Sequence, residues 1–314
     1  MVQAVSFGAH IIDALGWPFR GVPDGQQVSI IDRIKFTVAG TAAAPAMNLA
    51  KLGVDVAAVG RIGKDLVGDF LATTLAGYGA DVSHLLRQSD EQTSASLLPI
   101  RLDGSRPAMH VIGANASLTE ADVPWELIGP GVVFHLGGIG ILPGIDGPAA
   151  GRVLARAKEL GAITTVDVIL TPRPDLKELL APALGATDYF LPNIEEAGLL
   201  VGSEDRDAIV AWLGQSGVGV ALLTLGEDGV LVAPSGQTAR VLPAFAVDVV
   251  DSTGCGDAFS AGFISGLVDG LDLWAAAERG LAAGSLVATD LGSDAGLASL
   301  EELEAFRQTT PRRV

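Results

Sequence analysis

The chain has 314 residues, 49% of them hydrophobic and 18% charged, which suits one large α/β domain with an added piece and excludes a disordered polymer. Its formal net charge is −17, so it repels nucleic acid and anionic membranes, and neither is expected as a partner. The single cysteine, Cys255, rules out an intramolecular disulfide and a Cys-rich zinc site and fits a reducing cytoplasm, and no apolar run reaches the length of a membrane span. The same acidity repels anionic nucleotides at long range, so a phosphate site has to be built locally, from backbone dipoles and a metal.

Residues 2–7 read as a short buried strand without a basic leader pattern. Asp13 follows among apolar residues at the strand end, as either a satisfied structural acid or a ligand. Residues 16–27 are rich in Gly, Pro, Asp and Gln and predict a loop. Residues 29–38 alternate apolar with polar and predict a half-exposed strand, one face of which needs a cover. A helix is expected within 39–52, with Pro45 in its first turn. Gly40, just before it, lets a ligand approach the backbone closely, and Asn48 can donate to and accept from hydroxyls. Residues 53–69 predict a strand, a Gly-rich turn and a helix. The glycine spacing is wrong for a dinucleotide fingerprint, so a Rossmann dehydrogenase is discounted. The helix is expected to end at Gly77 and Gly79. Residues 94–102 and 106–111 read as a hairpin turning at Asp103-Gly104-Ser105, which with 29–38 makes a small sheet outside the main domain.

From residue 132 the pattern is β/α alternation: strands at 132–136, 163–168 and 189–192, helices at 148–160, 174–182 and 194–201. Such alternation means a parallel sheet covered on both faces, with ligands at the carboxyl ends of its strands. Asp167 lies at one such end, as a cap or as a ligand to substrate or magnesium water. Asn193 and Glu196 stand at another, spaced as a capping box. A strand at 220–225 turns back through Thr224-Leu225-Gly226-Glu227-Asp228-Gly229 into 230–232. Residues 274–289 form an Ala-rich helix, 291–296 a polar loop containing Ser293, and Ser299 opens a last helix before a frayed tail at 309–314.

The most informative stretch is Asp251-Ser252-Thr253-Gly254-Cys255-Gly256-Asp257-Ala258-Phe259. Phe259, Phe263 and Leu267 recur at helical spacing, so a helix begins near Cys255, with Gly254 and Gly256 at its first turn. The first N–H groups of a helix lack intrahelical partners and favour negative charge, so bare backbone here makes an anion seat. A carboxylate in that seat, Asp257, is placed to accept a proton. The string resembles the second signature of the PfkB (ribokinase-like) family of carbohydrate kinases, with Ser252 for a threonine and Cys255 for an alanine. The glycines and acid at Gly60, Gly63, Asp65 and Gly68, the Asn193-x-x-Glu196 pair and the Thr224-x-Gly226-x-x-Gly229 turn match family landmarks in order. The stretch around Gly40 and Asn48 is similar to the first signature, with one of its paired glycines replaced by Ala39.

The resemblance implies a three-layer α/β/α sandwich with a mostly parallel sheet, formed by residues 1–12, 40–92 and 116–314, and a small β lid formed by 13–39 and 93–115. It implies an ATP- and Mg2+-dependent kinase acting on a hydroxymethyl group of a sugar or sugar-like molecule. Asp257 would be the base, and Gly254, Cys255 and Gly256 the anion hole. Asp13, Gly40 and Asn48 would bind substrate. Asn193, Thr224, Gly226, Gly229 and Ser293 would bind ATP, and Glu196 would hold magnesium through water. Backbone carbonyls near Asp251 and the 291–296 loop would offer K+ a site. Cys255 would stand in for alanine, although a helix N-terminus can also lower a thiol's pKa. An exposed small sheet needs covering, which implies a homodimer through the lid. The alternatives are a nucleoside kinase, with Trp17 and Phe19 stacking a base, and a non-catalytic sugar-binding protein of the same fold.

Overall fold

The computed structural model describes residues 2–102 and 105–313. In chain order its elements are β1 (Ala4–Gly8), β2 (Ile11–Trp17), β3 (Arg33–Ala39), α1 (Ala43–Lys51), β4 (Val56–Gly63), α2 (Leu66–Tyr78), β5 (Leu85–Gln88), β6 (Ala95–Pro99), β7 (Met109–Val111), β8 (Val133–Ile139) and α3 (Pro148–Glu159). They continue with β9 (Ile163–Val168), α4 (Leu176–Leu184), β10 (Tyr189–Phe190), α5 (Ile194–Val201), α6 (Arg206–Gln215), β11 (Val220–Thr224), β12 (Val230–Pro234), β13 (Arg240–Leu242), α7 (Cys255–Val268), α8 (Leu273–Val287) and α9 (Leu300–Thr309).

Nine strands form one sheet in the order β13-β12-β11-β10-β9-β8-β1-β4-β5. Its pairings are parallel except where β12 meets β11 and β13. Strand side chains alternate between two cores. Val5, Phe7, Phe134 and Leu136 pack with α3, α4, α5 and α6 on one face, and Ala4 and Val133 with α1, α2 and α7 on the other. Each fully buried Phe or Leu contributes about 1.5–3 kcal/mol, so the central strands are fixed from both sides. This is the expected three-layer sandwich.

α7 is buried from Ala258 to Gly266, which holds its first turn rigidly at the sheet's carboxyl edge. The capping residue, Gly254, has φ +76°, and a Cβ there would fall 2.2 Å from that of Ser293. Only glycine fits this turn.

A second sheet, β3-β2-β6-β7, stands beside the first. β2 is its centre, antiparallel to β3 and parallel to β6. That double pairing carries β2 through Trp17, into the stretch expected to be loop. β3 starts only at Arg33, later than the alternation suggested, because no strand lies opposite residues 29–32. The hairpin pairs over Ala95–Leu97 and Met109–Val111, and its Asp103-Gly104 turn lies outside the described residues.

Register sorts this sheet's two faces. One cross-strand row is Thr37, Asp13, Ser96 and His110. The next is Phe36, Ala14, Leu97 and Met109, of which Phe36, Leu97 and Met109 are exposed by 57–59%. The two rows point to opposite faces.

Three further expectations need adjusting. Gly77 lies inside α2, and the left-handed Gly79 alone ends it. β10 keeps only two of its four expected residues, since Pro192 has no N–H to extend the ladder. The tail expected to fray is pinned: the amide of Arg313 donates to the Ala244 carbonyl at 2.8 Å, and that of Ala246 to the Pro311 carbonyl at 2.9 Å. Among the described residues no helix is long and apolar enough to cross a membrane.

Candidate active site

A cavity of about 970 Å3 opens at the carboxyl ends of the parallel strands, beneath the small sheet. The ends of β9 and β11, the start of α5 and the turn after β11 bring Asp167, Asn193, Glu196, Thr224, Gly226 and Gly229 to it. The turn before α7 brings Gly254, Cys255, Gly256 and Asp257. From the other side come Asp13, Gly40 and Thr41, with Ser96 and His110 of the small sheet and Arg106 from the connection between β6 and β7.

The first turn of α7 offers unused donors. The amides of Gly254, Gly256 and Asp257 meet no acceptor among the described residues, whereas that of Cys255 turns back to the Ser252 carbonyl at 3.4 Å. The open amides are therefore shifted from the expected trio: Cys255 drops out and Asp257 joins. A Cβ on Gly256 would meet open space, so the turn faces the cavity and not the core. Asp257 Oδ1 is shielded from solvent and has no hydrogen-bond partner.

The site is strongly acidic. Desolvation, then repulsion by Asp13 and Glu196, raises the Asp257 carboxyl to about 7, against the opposing pull of Arg106. Burial raises Asp13 to about 6, with a Ser96 hydrogen bond and Arg106 acting the other way. Glu196 is pushed up to about 7 by burial, opposed by its hydrogen bonds from the Asn193 and Leu170 amides. Asp167 rises well above the usual carboxylate range, by burial and then by the charges of Glu196 and Asp257. It is bound by Ser260 Oγ at 3.3 Å and by the amide of Val168 at 2.8 Å, and so caps no helix.

Asn193 and Glu196 form the expected reciprocal cap. Asn193 Oδ1 accepts from the Glu196 amide at 2.8 Å, and Glu196 Oε2 from the Asn193 amide at 3.2 Å. The box fixes the start of α5 and at the same time aims a carboxylate at the cavity.

Three expected ligands lie elsewhere. Asn48 is fully buried away from the cavity and donates to the Ser293 carbonyl at 3.4 Å. Ser293 is fully buried too, with its hydroxyl on the Val38 carbonyl at 2.6 Å. Asp251 is occupied by protein: its carboxylate accepts from the Thr253 amide at 3.0 Å, the Thr253 hydroxyl at 2.8 Å and the Gly292 amide at 3.0 Å. All three build the wall behind the α7 turn. Cys255 is not activated by its helix terminus, since burial pushes its thiol up to about 12.

Arg106, Ser96 and His110 were not singled out in the sequence. Arg106 Nε donates to Ser252 Oγ at 3.2 Å, so a guanidinium from the connection between β6 and β7 reaches the approach to the α7 turn. Ser96 Oγ lies 3.1 Å from His110 Nδ1. The register of the small sheet, unreadable before its pairing is known, is what aligns Ser96 and His110 with Asp13, whereas Arg106 lies in the connection between β6 and β7.

The donor set fits a nucleotide phosphate: three open amides at a helix start, in a roomy cleft, with the orphaned Asp257 oxygen beside them as an acceptor. Among the described residues no group of three or more His, Cys, Asp or Glu could hold a metal unaided. Asp167 and Glu196, which line the cavity, are carboxylates of the kind that fit Mg2+, a cation that keeps waters and takes most of its ligands from phosphates.

The profile of the pfkB family carbohydrate kinases matches residues 3–299. The chain is 30% identical to fructokinase-1 of Oryza sativa subsp. japonica, over 92% of either chain. It is 29% identical to 2-dehydro-3-deoxygluconokinase of Bacillus subtilis, over 97% of this chain and 95% of the relative. Its fold is similar to that of Arabidopsis thaliana ribokinase complexed with ribose and ATP, with TM-score 0.84 and 23% identity over 98% of this chain and 99% of that one. A ribokinase II from E. coli, described as putative and bound to ATP and Mg2+, superposes with the same TM-score at 22% identity, again over 98% and 99%. With that coverage behind the geometry of the α7 turn, the chain belongs to the pfkB family of carbohydrate kinases, phosphotransferases with an alcohol group as acceptor.

Proposed function

We propose that this chain transfers the γ-phosphoryl group of ATP to a hydroxymethyl group of a sugar or sugar-like molecule. Asp257 is the base, and the 254–257 turn is the seat of the transferring group. The single observation behind this reading is the shielded, unpartnered Oδ1 of Asp257 beside three unused amides. Mg2+–ATP, when bound, would supply the phosphoryl donor and the positive charge that offsets its phosphates. Asp167 and Glu196 face that end of the cavity and fit a role through water. The Gly254, Gly256 and Asp257 amides donate to the oxygens on which charge develops. Asp257 removes the hydroxyl proton as the acceptor oxygen attacks.

Asp13, Ser96 and His110 lie along one row of the small sheet and supply acceptors and donors for a polyol. The small sheet acts as a lid, and Arg106 brings a positive charge to the transfer point as the lid closes. Water is thereby excluded and idle hydrolysis limited. The opposite row, Phe36-Ala14-Leu97-Met109, is apolar and exposed, and a second copy of the chain covers it. A nucleoside acceptor is less well supported, because Trp17 packs against Leu15, Leu98, Ile100 and Leu291 and does not line the cavity.

The test has two parts. ADP release is screened over sugars, ketodeoxy acids, sugar phosphates and nucleosides. Asp257→Asn is then assayed with the best acceptor. General-base catalysis is worth roughly 10²–10⁴-fold, so the variant should bind ATP normally and lose turnover by about that factor. Near-normal turnover would remove Asp257 as the base. Ligand binding without any ADP would favour a non-catalytic binding protein.

A further inference from the structure

The 290–294 loop forms the wall behind the α7 turn. The Cβ of Ser293 stands where a side chain on Gly254 would go, and the Gly292 amide binds the same Asp251 carboxylate that holds Thr253. The conformation of this loop therefore sets that of the turn.

A lysine from the other sheet holds the loop. Lys35 Nζ, on β3, donates to the Leu291 carbonyl at 2.6 Å and pairs with Asp294 Oδ1 at 2.8 Å. Thr37, two residues on, donates to the same Asp294 oxygen at 2.9 Å and lies 3.2 Å from Ser293 Oγ. Lys51 Nζ reaches the Asp294 carbonyl at 2.7 Å, and Arg33 pairs with Asp290 at 3.3 Å. Among the described residues Lys35 is thus the one group that closes a backbone carbonyl and a carboxylate of the loop around a single positive charge. Its Asp294 pair is three-quarters buried, where charge-assisted bonds are strong and poorly screened. The strand that bears it pairs Thr37 opposite Asp13, so movement of the acceptor seat moves Lys35 as well.

We propose that Lys35 is a tethered cation that positions the phosphoryl seat: its ammonium holds the 290–294 loop against Gly254, does the work a free monovalent cation would do there, and couples that seat to the lid. The inference rests on the 254–257 turn being the phosphoryl seat. Lys35 is a positioning residue, since it touches the loop and lines no part of the cavity.

Two measurements test it. In the first, turnover is followed at fixed ionic strength with tetramethylammonium, potassium or ammonium as the only monovalent cation. Wild-type turnover should be the same in all three. Lys35→Met should lose roughly ten- to a hundredfold in kcat, the scale of a slightly misplaced catalytic group, with acceptor KM within about threefold. Ammonium should restore part of the loss, and Lys35→Arg should keep most of the activity. The second measurement needs no turnover: amide hydrogen exchange in peptides spanning 250–258 and 288–295. Lys35→Met should speed exchange in these peptides alone, and ammonium should slow it again. Wild-type dependence on potassium, a Lys35→Met enzyme with normal kcat, or exchange unchanged in both peptides would overturn the proposal. Absence of kinase activity with every acceptor, alongside the expected exchange change, would instead defeat the functional reading and leave the latch standing.

Discussion

The Asp257 carboxyl, the proposed base, is poised near neutrality without a histidine. Taking its carboxyl out of water and placing Asp13 and Glu196 nearby raises it to about 7, and Arg106 is the counterweight. A base must be ionised to act, so kcat/KM should fall as pH drops through that value. Replacing Arg106 by Met withdraws the charge that favours the ionised form. The acid limb of the kcat/KM profile should then move to higher pH, and kcat should fall roughly tenfold or more if the proposed charge-assisted contact to the transferring group is lost. A profile whose acid limb stays in place in Arg106→Met would separate Arg106 from the base. Asp257 could be found in the sequence because all its determinants lie within nine residues: glycines, helix start and acid are local. Asn48 and Ser293 could not be placed that way. Hydrogen-bonding capacity is visible in a sequence, but the direction in which a side chain points across a 245-residue separation is not.

Among the elements, the parallel sheet was legible because continuous apolar runs and β/α alternation are local consequences of burial on both faces. The small sheet was legible only in part. Residues 29–38 showed alternation, but which row faces the cavity depends on register with β2 and β6, and register is a property of partners. The tail misled for a similar reason, since its polar residues look unsupported until Ala244 and Ala246 are seen to pair with it. Register also yields the test of the apolar face. Phe36, Leu97 and Met109 lie side by side, exposed, on three of the four strands. Leu97→Lys should convert a dimer to a monomer in light scattering while leaving the mean residue ellipticity unchanged. A wild-type chain that is monomeric at high micromolar concentration would show that no second copy covers this row.

At the scale of the whole molecule, an acidic protein keeps Asp13, Asp167, Glu196 and Asp257 desolvated in one cleft, and this has a cost that depends on pH. Burial raises Glu196 and Asp257 to about 7 and Asp167 well above its ordinary value, whereas in the unfolded chain such groups titrate near 4. Between those values the folded state binds more protons than the unfolded one, so these acids lower stability as pH rises. His10 and His135 act the other way: burial lowers both to about 4, so folding excludes protons that the unfolded chain takes up until about pH 6.5. Below pH 6.5 the two sets oppose each other. From about 6.5 to 7.5 the histidine contribution fades and Lys51, lowered to about 8 by burial, opposes only weakly, so the acids dominate, at up to about 1.4 kcal/mol per pH unit for each group. The ligand-free protein should therefore melt at a lower temperature at pH 7.5 than at 6.5. Asp257→Asn, with no charge to bury, should flatten that slope and melt above the wild type at pH 7.5. Mg2+–ATP should shrink the difference as well, by bringing a divalent cation to the carboxylates. A melting temperature that climbs across this window, in a protein whose other carboxylates are already ionised, would mean that the cleft acids are charged and compensated within the fold, and that the site does not wait for a metal to balance it.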